Sequence, residues 1–247
     1  MWEYLKDIAE NMVPNLTNVP EIDFKYMDET VAKRTNTMAY YLKSPVDEVN
    51  SAEHITLNPF YAIGSSSEPL LTTIAHEGYP GHLYARVKAK EQGLHFISSL
   101  NSCSAFAEGW AVYTQLAVLN NIIQDSDDDA LNLYCEYLYG ETVSGYISML
   151  LFDIQINYMG VSVRDLVQMG YGEDTARNII ETFMEIPTVY VSYAYGAYTM
   201  INLHEQAKYE LGDRYNEVEF NGILLSEGDP TLYRAQQITD EYIASKK

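Results

Sequence analysis

The chain has 247 residues, 47% hydrophobic and 20% charged, a globular balance that excludes wholesale disorder. Its 35 acidic against 15 basic residues give a net charge of -20. Such a surface repels phosphate backbones and anionic lipid, so no nucleic-acid partner is expected. No uninterrupted apolar run reaches the roughly 18 residues of a membrane span, so no transmembrane segment is expected. The start, Met1 to Glu10, lacks the basic-then-apolar order of a signal peptide, and the sequence assigns no compartment. Two cysteines, Cys103 and Cys135, are too few for a disulfide framework and read as small core residues.

Residues 1–68 read as an irregular lead-in. Pro14, Pro20, Pro45 and Pro59 punctuate it, with a short helical pattern near Asp28 to Leu42. His54 to Phe60 alternates weakly and is predicted as a short strand, and Ser66 or Ser67 could cap the first helix of the next region. Residues 69–247 read as a helical core. Leu70 to Gln92 is one helical segment interrupted at Pro80 and Gly81, and Ser104 to Asn120 is a second. The carboxylates of Asp125 to Asp129 favour the positive end of a helix that runs to about Tyr158. That helix is apolar on much of its circumference, which predicts a core position. A helix pair comes next over Ser162 to Met169 and Asp174 to Glu185, then a long helix from Tyr190 to Leu211 closed by Gly212. Two short helices, split near Gly228-Asp229-Pro230, finish the chain. The expected fold is mainly α, one domain over residues 1–247 with a small N-terminal β element.

Two of the five histidines lie in His76-Glu77-Gly78-Tyr79-Pro80-Gly81-His82. The stretch resembles the zinc-peptidase pattern H-E-x-x-H with its second histidine displaced. At the usual spacing of four, the imidazoles sit about 40° apart round a helix; at six they sit about 240° apart, on nearly opposite sides. Pro80 cannot donate the amide that would close onto the His76 carbonyl, and its ring clashes there, so the helix must kink or bulge. Gly81 lets the chain turn at low cost, which could return His82 to the face of His76. The expected third ligand is Glu108, in the otherwise apolar Phe106-Ala107-Glu108-Gly109-Trp110-Ala111-Val112-Tyr113. An unpaired carboxylate is costly to bury, and coordination to a cation removes that cost. Gly109 beside it would allow close backbone approach.

These two blocks resemble the signatures of the DUF885 family, grouped with the gluzincin-like zinc metallopeptidases. The likeness continues through Ser192-Tyr193-Ala194-Tyr195-Gly196, Leu203 to Leu211 and Phe220 to Pro230, and upstream around Leu57-Asn58-Pro59. Family members are typically longer, with a large helical N-terminal region. The resemblance therefore implies that this chain corresponds to the C-terminal, zincin-like catalytic part, either as a natural short form or as a piece of a longer protein whose N-terminal domain lies outside it. Two positions depart from the family pattern: Leu83 stands where many members have a further histidine, and His204 where an arginine is usual.

Spacing and resemblance lead to one assignment. His76, His82 and Glu108 would hold one Zn²⁺ with a position left for water, and Glu77 would be general base and then proton donor to the leaving amine. The family's closing pattern makes Tyr193 the first choice to stabilise the oxyanion and Tyr195 the second, a substrate contact. A peptide or small amide substrate could pair with the His54 to Phe60 strand, contacting Asn58. Acidic residues such as Glu141 are candidates to orient the ligand histidines. The competing readings are a metal-dependent hydrolase of non-peptide amides or esters, a non-catalytic helical binding module with a vestigial metal site, and a structural zinc. Glu77 argues against the last, since a closed site needs no adjacent base.

Overall fold

A computed structural model describes residues 1–35, 37–42, 52–60, 70–94 and 102–247. The proposed cap at Ser66 or Ser67 lies outside these residues. Within them the chain is mainly helical with one small sheet near the N-terminus, as expected. Helix α1 (Trp2–Ala9) is amphipathic and buries Leu5, Ile8 and Ala9. Strand β1 (Ile22–Tyr26), the single-turn α2 (Glu29–Ala32), β2 (Ala39–Leu42) and β3 (Glu53–Leu57) come next. The lead-in is thus more regular than its prolines suggest. The helical pattern expected over Asp28 to Leu42 stops after one turn, because Ala39-Tyr40-Tyr41-Leu42 alternates in and out of the core as a strand does.

The sheet order is β1-β3-β2, with β3 parallel to β1 and antiparallel to β2. Among the described residues β3 is therefore the centre and β2 an edge. Tyr41 and Ala39 point into the core while Tyr40 and Leu42 face outward. The Tyr41 hydroxyl donates to Glu53 at 2.6 Å, and Lys90 reaches the same carboxylate at 2.7 Å. Lys90 and Glu53 are almost fully buried. This pair fastens the sheet to the end of α4 (His82–Glu91), which follows α3 (Leu70–Glu77).

The remaining helices are α5 (Ser104–Asp125), α6 (Asp129–Asp153) with a wider π-helical turn (Ile154–Tyr158), α7 (Val163–Gln168), α8 (Glu173–Glu185), α9 (Val189–Leu211), α10 (Glu217–Leu224) and α11 (Leu232–Lys246). Helix α5 is buried round most of its circumference, including Phe106, Trp110, Val118 and Leu119, as an apolar helix inside a core must be. It crosses α9 at Gly109 and Gly196, where the backbones touch. A Cβ on Gly109 would lie 2.4 Å from the Gly196 carbonyl carbon, and one on Gly196 would lie 2.1 Å from the Ala105 oxygen. One contiguous core reaches from Leu5 to Ile243.

Helix α6 departs from expectation. Cys135, Leu138 and Thr142 are buried, but Leu133, Tyr137, Ile147 and Leu151 are exposed. An apolar circumference has surface for neighbours on two sides, and the described residues supply them on one. Cys135 is a core residue as expected, whereas Cys103 is only partly buried at the start of α5.

Candidate metal centre

Helix α3 ends at Glu77 and α4 begins at His82, so the sequence Gly78-Tyr79-Pro80-Gly81 is a tight corner between two helices rather than a bulge in one. The Gly81 amide donates to the Ala75 carbonyl at 2.9 Å, closing the corner across the gap that Pro80 leaves. A Cβ on Gly81 would lie 1.9 Å from the His76 oxygen, so only glycine fits. From α5, the Trp110 indole donates to the Pro80 carbonyl at 3.0 Å and holds the corner from below. The result is the one the spacing required. The two imidazoles stand edge to face, centroids 4.7 Å apart and planes at 89°.

Both Nε2 atoms aim at one carboxylate oxygen. Glu108 Oε2 lies 3.5 Å from His76 Nε2 and 3.3 Å from His82 Nε2. That oxygen is buried and makes no well-directed hydrogen bond. The three ligand atoms lie within 4.8 Å of one another. A tetrahedral zinc ion with bonds of about 2.0–2.2 Å places neighbouring ligand atoms roughly 3.3–3.6 Å apart. Donor set, spacing and the unsatisfied buried oxygen together fit one such ion.

The surroundings are equally specific. His76 is buried, and its Nδ1 faces the Gln115 side-chain oxygen at 3.2 Å, which also accepts from the Tyr146 hydroxyl at 3.1 Å. With Nδ1 as the donor to Gln115, the His76 Nε2 lone pair is directed at Glu108, the arrangement a ligand histidine needs. Glu141, the acidic candidate for that task, is exposed; the partner is a neutral amide two helical turns beyond Glu108 on α5. Gln115 was missed, although a polar amide inside the apolar stretch, seven residues after Glu108, was a legible signal. Burial raises the Glu108 carboxyl, but the imidazoles of His76 and His82 outweigh it and hold the group well below the usual carboxylate range. Burial disfavours the charged form of His76, and the carboxylates of Glu108 and Glu77 reverse this and raise it.

Glu77 Oε2 accepts the Tyr41 backbone N–H at 2.8 Å, while Oε1 lies 4.0 Å from His76 Nε2. Tyr193, from α9, stacks on His76 at 6.0 Å and 8° and on Tyr146 at 5.6 Å and 15°. Burial, then the Glu108 and Glu77 carboxylates, push its phenol far above 10, so it stays an O–H donor at neutral pH. Two hollows flank the cluster. One, of about 260 Å³, lies towards Tyr40, Ser104 and His82; the other, of about 210 Å³, lies towards Met38, Gln115, Met149 and Tyr190. Glu77 and Tyr193 line both.

The structure thus brings together His76, Glu77, His82, Glu108 and Tyr193. It does not bring in Asn58 or Tyr195. Asn58 is fully buried, its amide donating to the Ala32 and Thr37 carbonyls and its oxygen accepting from Phe60 N–H, so it fastens a loop. Tyr195 is 55% exposed, two residues from Tyr193 on a helix and hence turned away from the cluster. Strand β3, expected to receive a substrate chain, already has partners on both edges.

Solved structures that share this fold include the following two. A candidate lipoprotein of Colwellia psychrerythraea superposes over 99% of this chain with a TM-score of 0.81 at 19% identity. A candidate lipoprotein of unknown function from Shewanella oneidensis does so over 96% with 0.71 at 17% identity. The chain spans 42% and 43% of those two proteins, less than half of each. No curated protein matches it. No described helix is long and apolar enough to cross a membrane. Residues 1–237 match the family of bacterial proteins of unknown function, DUF885, and the chain belongs to that family.

Proposed function

We propose that this chain carries the catalytic centre of a zinc-dependent hydrolase that cleaves peptide bonds. The observation that carries this reading is the convergence of His76 Nε2 and His82 Nε2 on the buried Glu108 Oε2, with the Glu77 carboxylate alongside. When bound by these three ligands, zinc supplies a Lewis acid and a water nucleophilic near neutral pH. The chain's own groups do the rest. Tyr41 N–H holds Glu77 Oε2, which leaves Oε1 to take a proton from water and return it to the departing amine. Tyr193 keeps its proton and can donate to the oxyanion that grows on the attacked carbonyl. Gln115 and Tyr146 keep His76 in one tautomer.

Metal analysis after zinc loading and dialysis tests the reading. Wild type retains one ion per chain, and His76→Ala retains none. Glu77→Gln keeps the ion and loses hydrolysis of a peptide mixture by roughly 10²–10⁴-fold. A wild-type protein that retains no zinc overturns the proposal.

A further inference from the structure

Asp153 is a buried carboxylate that takes no part in the chemistry above. It ends α6, is 1% exposed, and none of the described lysines, arginines or histidines is ion-paired to it. Its Oδ1 accepts from the Asn157 side-chain amide at 2.8 Å and from the Thr188 N–H at 3.1 Å. Its Oδ2 is buried and makes no hydrogen bond. An unpaired charge is costly to bury, and an apolar residue would avoid that cost. What the carboxylate holds explains its presence.

Thr188 has φ 68 and ψ -2, and among the described residues no other non-glycine residue has a positive φ. A β-branched residue is poorly suited to this left-handed conformation, which persists only where the surroundings fix it. Asp153 fixes it through the Thr188 N–H, immediately before α9, where a carboxylate also meets the positive end of that helix. Asn157, on the π-helical turn, extends the tie to the Phe183 carbonyl in α8 at 3.0 Å. One side chain thus joins the end of α6 to the start of α9 and, through Asn157, to α8.

Tyr190 and Tyr193 stand three residues apart on one face at the start of α9, rings 6.1 Å apart. Burial and then the Asp153 charge raise the Tyr190 phenol above its usual 10, so the carboxylate lies within electrostatic reach of that face. Tyr193 therefore sits between two anchors. The crossing of Gly196 with Gly109 fixes α9 one turn beyond it, and the bond from Thr188 to Asp153 fixes the helix start before it. Without the second anchor Thr188 relaxes to an unstrained conformation, and the Tyr193 ring leaves its place over His76.

We propose that Asp153 is a positioning residue: by holding the strained Thr188 it sets the start of α9, and so the place of the Tyr193 hydroxyl beside the metal centre. The catalytic consequence rests on the hydrolase reading; the placement of Tyr193 does not.

The test combines fluorine NMR of fluorotyrosine-labelled, metal-free protein with peptide hydrolysis by the zinc-loaded enzyme. The Tyr193 signal is the one missing from Tyr193→Phe. In Asp153→Ala this signal is expected to move, and kcat to fall about 10²-fold, the loss that a misplacement of about 1 Å brings. KM and zinc content should stay as in wild type, because the Tyr193 hydroxyl acts on the transition state. Asp153→Asn keeps an acceptor for the Thr188 N–H and should keep both the signal and most of kcat. Thr188→Gly, which takes the left-handed conformation without strain, should restore both in Asp153→Ala. On a Tyr193→Phe background, Asp153→Ala should no longer change kcat.

A Tyr193 signal unmoved by Asp153→Ala, or moved and not restored by Thr188→Gly, overturns the proposal. So does a kcat loss that persists in full on the Tyr193→Phe background, or an Asp153→Asn as damaged as Asp153→Ala. Should Asp153→Ala not fold, its combination with Thr188→Gly decides: a folded protein with the wild-type Tyr193 signal supports the link, and failure to fold overturns it. A signal that moves and is restored, with no hydrolysis by wild type, supports the positioning and removes the hydrolase reading.

Discussion

Adding one methyl at Gly109 tests how Glu108 is placed. A Cβ there would stand 2.4 Å from the Gly196 carbonyl carbon and 2.6 Å from its Cα. Ordinary contact begins at 3.4 Å, so α5 and α9 must separate by about 1 Å, because backbone atoms cannot rotate aside as a side chain could. Glu108 is the neighbouring residue and moves with α5. A metal site tolerates only about 0.2 Å in its ligand distances. Gly109→Ala should therefore weaken zinc binding by at least about tenfold, the size of effect seen when ligand support is lost.

Its effect on stability needs a control, because alanine is intrinsically better in a helix by about 1 kcal/mol. Gly140, inside α6 with nothing within 4 Å of its Cβ position, supplies that control. Urea unfolding of metal-free protein should show Gly140→Ala neutral or stabilised and Gly109→Ala worse than it by about 1–3 kcal/mol, the usual cost of overpacking. Zinc competition with a chromophoric chelator gives the affinities. If Gly109→Ala gains as much stability as Gly140→Ala and holds zinc as tightly as wild type, the helix crossing does not position Glu108, which refutes the coupling between them.

Gln115→Leu should keep the volume, free His76 to change tautomer, and lower zinc affinity about 10–100-fold by the same competition assay, with little change in fold by circular dichroism; an unchanged affinity counts against the orienting role. His204 is buried between the Met200 carbonyl and the Asn221 side chain, and burial lowers its pKa from 6.5 to about 4. The unfolded chain therefore takes up a proton that the folded chain refuses. The stability contributed is complete above pH 6.5 and is lost as pH falls towards 4, about 3 kcal/mol in all. Urea midpoints at pH 7 and pH 4 should differ by less in His204→Gln than in wild type; equal differences would discount this histidine.

The arrangement of the helices was legible in sequence because their limits are set locally, by caps, glycines and prolines. The carboxylates before α6, Gly212 after α9 and the break at Pro80 and Gly81 each act within one turn of chain. The identities of His76, Glu77, His82 and Glu108 were legible for a related reason. Charged or ligating groups in apolar helices, and a proline paired with a lengthened histidine spacing, need a partner to be tolerable. Sequence could not supply what depends on contacts between segments distant in the chain. Only the packing of α5 against α9 at two glycines decides that Glu108 reaches both imidazoles and that Tyr193 stacks beside them. Only the sheet order makes β2 rather than β3 the edge that Glu77 touches. The outward apolar face of α6 obeys the same rule: periodicity records how much surface a helix can bury, and the tertiary structure decides where neighbours stand to bury it.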